Sequence, residues 1–255
     1  MNKFMNYPLF VSLLTFVVLA VGMWIGAELR RRRHAMDQPE REDFGVILAA
    51  TLTLLGLIIG FSFSMATSRY DQRKNYEEQE ANAIGTEYVR ADLLPAGDAE
   101  KVRGLLRRYL GERVQFYNTR DFEELRQVNA ATSETQGELW RAVRGPAVAA
   151  QTAVSALAVS GMNDVLNSQG YTQAAWWNRI PVPAWGLMGA IAICCTVMMG
   201  YYVRPAKGNA VRLMVLPLIV AISFFLIADI DSPRGGVIRV KPQNLVSLAE
   251  SLNGH

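Results

Sequence analysis

Residues 44–94 read FGVILAATLTLLGLIIGFSFSMATSRYDQRKNYEEQEANAIGTEYVRADLL. The first half carries no charge for more than twenty residues, and the second half is rich in charged and polar residues. No proline falls between Phe44 and Pro95. The stretch therefore reads as one helix, spanning roughly 75 Å at the α-helical rise. Its apolar half is long enough to cross a bilayer. A membrane helix that runs stiffly into a polar domain couples the two mechanically, which suits a pore or a sensor better than an enzyme.

Working outward, the apolar residues of this 255-residue chain are clustered, so its 51% hydrophobic content is not that of one soluble core. Four segments pass the length test for membrane spans, at about 9–29, 46–66, 183–203 and 210–228. The expected fold class is all-α: a four-span helical membrane protein, with a helical extramembrane domain between spans 2 and 3 and the second span continuing into it. The corresponding divisions are a transmembrane hairpin over 1–67, the helical domain over 68–180, a second hairpin over 181–229 and a tail over 230–255. The first span has a longer apolar run than a signal peptide core, and its arginines Arg30 to Arg33 follow the run, so it reads as a retained anchor.

Both hairpin connections, RRRRHAMDQPERED and RPAKGNAVR, are short and basic. By the positive-inside rule they face the cytoplasm, which places the N-terminus, the large domain and the C-terminus outside. The other side also carries positive residues, among them Lys3, Arg69, Arg73, Lys74, Arg179 and Arg234. Trp176, Trp177 and Trp185 before the third span, with Tyr201 and Tyr202 after it, read as interfacial anchors.

Little here suits catalysis. The two histidines, His34 and His255, stand in no metal-binding spacing, and Gly235-Gly236 does not make a phosphate loop. Ser62, Ser64 and Ser68 have no base nearby in sequence, and Glu77, Glu78 and Glu80 read as a solvated face. Cys194 and Cys195 are adjacent inside the third span and suggest no disulfide. No catalytic residue, metal site, cofactor or nucleic-acid partner is expected. Ala81, Ile84, Tyr88 and Ala91 form a narrow seam for a partner helix. Gly145-Pro146 reads as the start of a new element, in which Val154, Leu157, Met162 and Val165 recur at helical spacing.

The second span offers two faces. Gly56, Gly60, Ser64 and Ser68 recur every four residues, as do Gly22 and Gly26 in the first span; such small residues let helices approach closely. The alternative is that this face, with Ser64, lines a narrow pore. The neighbouring stripe of Thr53, Leu57 and Phe61 would otherwise face the axis and form an apolar constriction in an oligomer. Arg69 and Arg73 lie just past the span. They are either snorkelling residues or rings of charge that concentrate anions at a pore mouth. Asp229 and Asp231 close the fourth span, and they either pair with Arg234, cap the following turn or bind a divalent cation.

The segments LLGLIIGFSFSMATSRYDQR, EANAIGTEYVRADLLP, RRYL and FLIADIDSPRGGVIRV, taken in order, resemble the bestrophin-like family of bacterial membrane proteins (the DUF4239 group). More distantly the chain is similar to true bestrophins, pentameric anion channels with four spans per subunit and a largely helical cytosolic domain. The resemblance implies a homo-oligomer in the lipid bilayer that conducts inorganic ions, with span 2 lining the pore and an apolar neck at Gly60-Phe61. It places Asp229–Gly235 where bestrophins carry an acidic turn, but the long acidic run of the animal calcium clasp is absent. It also implies a cytosolic large domain, against the charge of the hairpin loops. A second reading is a non-conducting scaffold or signal-transmitting protein that binds a partner through the Ala81–Ala91 seam.

Overall fold

The computed structural model describes residues 7–32, 37–203 and 209–253. Among them it has eight α-helices and no strand: α1 Pro8–Arg32, α2 Gln38–Arg90, α3 Ala96–Asn118, α4 Phe122–Ala149, α5 Ala153–Trp177, α6 Val182–Tyr202, α7 Asn209–Asp231 and α8 Gln243–Asn253. A short 3₁₀ turn, Ala91–Leu93, follows α2. Four apolar stretches of spanning length lie in α1, α2, α6 and α7. The protein is a four-span helical membrane protein, and α2 runs unbroken for 53 residues from its apolar half through its polar half. His34 and His255 lie outside the described residues, as does the start of the second basic connection.

The chain forms two compact units. One holds the described parts of 1–69 and 179–238; the other holds 70–178 and the C-terminal stretch with α8. In the membrane unit α1 and α6 meet backbone to backbone. A Cβ at Gly26 would run into the Val197 carbonyl oxygen, and one at Gly200 into that of Met23. One at Gly22 would stand 2.8 Å from Thr196 Oγ1. The Gly22 and Gly26 repeat thus serves helix packing, the driving force that remains when lipid is as apolar as the side chains. Leu19, Leu55, Met188, Ala192, Cys195 and Phe224 fill the interior, with Trp185 edge-on to Phe224 at 6.0 Å.

The helical unit has a denser core. Ile84, Leu106, Tyr109, Phe116, Leu139 and Met162 are fully buried. Trp176 turns into this core instead of standing as an interfacial anchor: its ring lies edge-on to Phe116 at 5.1 Å and to Tyr117 at 5.5 Å. The Ala81–Ala91 seam packs here too, with Leu248 of α8 3.2 Å from the position a Cβ would take at Gly85. Asp121 caps α4 by accepting from the amides of Glu123 and Glu124, both at 2.9 Å. That helix passes through Gly145-Pro146 and stops at Ala149. The proline falls in the last turn; its carbonyl accepts from Ala150 N–H, and what it removes is the donor that would meet the Ala142 carbonyl one turn back. The break comes at Thr152, which forms a reciprocal capping box with Ser155 and starts α5.

Charges are buried in this core. Glu80 is paired with Arg113, and its second oxygen accepts from the hydroxyls of Tyr117 and Thr172, both at 3.2 Å. Burial first, and the Glu80 charge second, push the Tyr109 and Tyr117 hydroxyls well above their ordinary values, so both stay protonated. Glu77 reaches α8: its Oε1 accepts from the amides of Asn244 at 2.9 Å and Leu245 at 3.0 Å, and its Oε2 from Asn244 Nδ2 at 2.6 Å. Glu77 and Glu80 are therefore interior residues, and of the three glutamates read as solvated only Glu78 is exposed. The cause is their register on α2. Arg73, Glu77, Glu80, Ile84, Glu87 and Ala91 recur at 4-3-4-3-4 spacing, on one face with the apolar seam.

Candidate functional site

Two features of the membrane unit hold the candidate residues: the outward face of α2, and the turn that follows α7. On the first, Leu48, Leu55, Ser62 and Ala66 point into the unit, while Thr53, Leu57, Phe61 and Ser64 point away from it. Phe61 is 69% exposed. A Cβ added at Gly56 or Gly60 would meet nothing within 4 Å, so these glycines, unlike Gly26 and Gly200, admit no neighbour from within the chain. The Thr53 hydroxyl donates to the Ala49 carbonyl at 2.9 Å. It is satisfied along its own helix and leaves the methyl outward. The face therefore combines bulky apolar rings and small gaps, with no charge between Val46 and Ser68.

At its polar end the α2 span meets the turn after α7. Asp231 is buried, and both its oxygens are engaged. Oδ1 lies 3.6 Å from Arg69 Nη1 and accepts from the Ile180 amide at 3.0 Å, while Oδ2 lies 3.6 Å from Arg179 Nε. Arg179 Nε also donates to the Asp231 carbonyl at 3.2 Å. Asp229 accepts from the amides of Val237 and Ile238, both at 2.8 Å. Gly236 is required for this closure, because a Cβ there would strike the Asp229 carbonyl oxygen. The two carboxylates thus staple the turn, one through backbone amides and the other through two guanidinium groups. Among the described residues no group of acidic, histidine or cysteine side chains is arranged to hold a metal ion.

Of the two candidate mouth arginines, Arg69 is held by Asp231 and is largely shielded. Arg73 is 1% exposed within the helical unit. Neither guanidinium stands on the outward face of α2. Sequence reading counted Arg179 only among the positive residues and looked to Arg234 to pair with the aspartates; Arg179 sits just before α6 with no local pattern to mark it as a partner of Asp231. The only advance signal was the pairing demand of two aspartates next to an apolar run.

The helical fold, its four spans and the long α2 agree with what the chain matches. The model for the bestrophin-like domain matches residues 13–245. The chain belongs to the bestrophin-like family. Solved structures of bacterial bestrophin homologues share the fold at low identity. A crystal structure of a bacterial bestrophin homologue from Klebsiella pneumoniae, a point variant, is 12% identical with a TM-score of 0.64, covering 94% of this chain and 97% of that one. Another structure of a bestrophin homologue from the same organism is 13% identical with a TM-score of 0.62, covering 96% and 95%. No curated protein matches the chain in sequence. At such identities the bestrophin likeness is one of fold, and the outward face of α2 has to be argued from its own residues.

Proposed function

We propose that this protein is a homo-oligomeric ion channel of the bacterial inner membrane, with α2 of each subunit lining the conduit. Leu57 and Phe61 form the apolar neck, and Thr53 and Ser64 stand beside them. The observation that carries this reading is the outward face of α2. Along the whole membrane crossing it is uncovered by its own chain, and it holds two glycines that pack on nothing. Repeated around an axis, such a face encloses a narrow apolar constriction that gates by wetting and dewetting.

By resemblance the oligomer is a pentamer and the ion an anion. Arg69 and Arg73 lend the anion part no support, since one is paired with Asp231 and the other is buried. Reversal potentials in asymmetric potassium chloride decide the sign, and light scattering of the detergent-solubilised protein decides the subunit number. The basic connections put the helical unit outside the cell. An impermeant maleimide that labels Ser133→Cys in intact cells supports that side, and labelling only after lysis reverses it.

The principal test is single-channel recording from purified protein in planar bilayers. Unitary currents are expected, and Phe61→Ala should raise conductance or leave the channel leaking at rest. An intact oligomer that stays silent across pH and calcium removes the channel reading. The scaffold reading has lost its partner surface, because the seam from Ala81 to Ala91 is filled by the chain's own core.

A further inference from the structure

Glu87 is a buried carboxylate with no job in the packing around it. It lies on the interior face of α2 beside Ile84 and Ala91, at 0% exposure. Neither of its oxygens has a hydrogen-bond donor among the described residues. The other buried glutamates of the same helix differ on this point: Glu77 accepts three hydrogen bonds, and Glu80 has a guanidinium and two hydroxyls. An ionised carboxylate without donors is among the most expensive groups to bury.

The site is shaped around it. Across from Glu87 on α5 stands Gly161, and a Cβ there would collide with Glu87 Oε2 and stand 2.6 Å from Arg90 Nη1. The absent side chain leaves room that the carboxyl shares with the Arg90 side chain. Two charged groups face it. Arg90, one turn along α2, lies 4.0 Å from Asp164, one turn along α5, and is drawn partly outward to it. Asp164 brings a like charge towards Glu87. Asp92, in the following 3₁₀ turn, is turned away to Arg103. Burial, with Asp164 assisting and Arg90 opposing, raises the Glu87 carboxyl from an ordinary 4.5 to about 8.

We propose that the Glu87–Gly161 contact is a proton-operated catch: neutral Glu87 keeps the seam between α2 and α5 closed, and its ionisation opens that seam. The contact lies wholly within the helical unit, so the inference stands apart from whether the protein conducts. In the closed seam Glu87 keeps its proton up to about pH 8, whereas an opened, hydrated Glu87 releases it near 4.5. Between those values opening releases a proton, so the opening equilibrium rises roughly tenfold per pH unit and levels off once the closed form ionises too.

The test is hydrogen–deuterium exchange of the full-length protein in nanodiscs, from pH 6 to pH 9.5, with rates corrected for intrinsic chemistry. Protection over residues 153–170 of α5 should fall roughly a hundredfold between pH 6 and pH 8 and then level off. Glu87→Gln, neutral and of the same shape, should hold that protection flat. Asp164→Asn, at an exposed position, should move the levelling point to lower pH. Flat protection in the unmodified protein overturns the proposal, as does an unchanged fall in Glu87→Gln. A levelling point that Asp164→Asn leaves in place overturns it as well.

Discussion

The membrane unit is held together by side chains that are missing, and the helical unit by side chains that are charged. In the first, Gly22, Gly26 and Gly200 allow α1 and α6 to touch along their backbones, while Leu57, Phe61 and other large apolar residues face outward. In the second, Glu77, Glu80 and Arg113 are buried and the apolar residues turn in. The difference follows from the solvent. Lipid gives no reward for hiding a leucine, so close approach decides which helices pair. Water drives apolar groups inward, and a core built that way admits charges only when partners come with them. The same residue type therefore carries different information on the two halves of α2. Gly60 packs on nothing, and Glu80 is more deeply buried than most of the leucines in the chain.

The comparison breaks first at the buried ion pair. Arg113→Ala removes the partner of Glu80 and leaves a carboxylate inside the core with only two hydroxyls. A loss of about 3–5 kcal/mol is expected from the helical unit. Chemical denaturation followed by tryptophan fluorescence, to which Trp176 against the same cluster contributes, reads it. A change under about 1 kcal/mol would mean that water reaches Glu80 and that the charges do not organise this core.

A smaller effect is expected from the glycines of the membrane unit. Gly200→Val drives a side chain into the Met23 carbonyl and should destabilise the α1–α6 pair by about 1–3 kcal/mol or more. Gly60→Ala should leave subunit stability unchanged, since nothing lies within 4 Å of the added carbon. Thermal melting in detergent separates the two. If Gly60→Ala lowers the melting temperature of the isolated subunit as much as Gly200→Val, the outward face of α2 is covered after all. If it alters only the assembled oligomer, neighbouring subunits meet across that face.

The membrane half was legible because lipid imposes length and hydropathy, both of which survive in a bare sequence. The four spans and the unbroken helix from Phe44 onward needed no tertiary knowledge. The charged half was not. Glu77 and Glu80 look solvated in isolation, since the residues that pair with them, Arg113 and Asn244, are 33 and 167 positions away. The 4-3-4-3-4 register from Arg73 to Ala91 was visible, yet it mixes charges with apolar residues and so matches no hydrophobic template. On α5 the apolar pattern was half right, since Met162 and Val165 are buried. Val154 and Leu157 are exposed, while Ala158, Gly161, Ser168 and Thr172 face the core. Small and polar residues mark that interior because helices and buried carboxyls crowd against it. The site at the membrane edge was half legible: Asp229 and Asp231 stood out after an apolar run, but their arginine and amide partners come from other elements.

The gentlest probe is Glu77, which caps α8 from far along the chain. The first turn of a helix leaves amides without intrahelical acceptors, and a carboxylate placed there satisfies them and meets the positive end of the helix dipole. Here one oxygen takes the amides of both Asn244 and Leu245. Glu77→Ala removes that acceptor and should cost about 1–2 kcal/mol. Glu77→Gln should cost about half as much, because its carbonyl can still serve both amides while its NH₂ confronts Asn244 Nδ2 until that amide turns over. The damage should stay local. Hydrogen exchange should speed up over 243–253 while the segment around Leu106 and Leu139 keeps its protection. If protection falls across the whole core with the loss of this one cap, α8 is an integral wall of the helical unit, and the buried charges of α2 hold the core from its C-terminal end as well as from within.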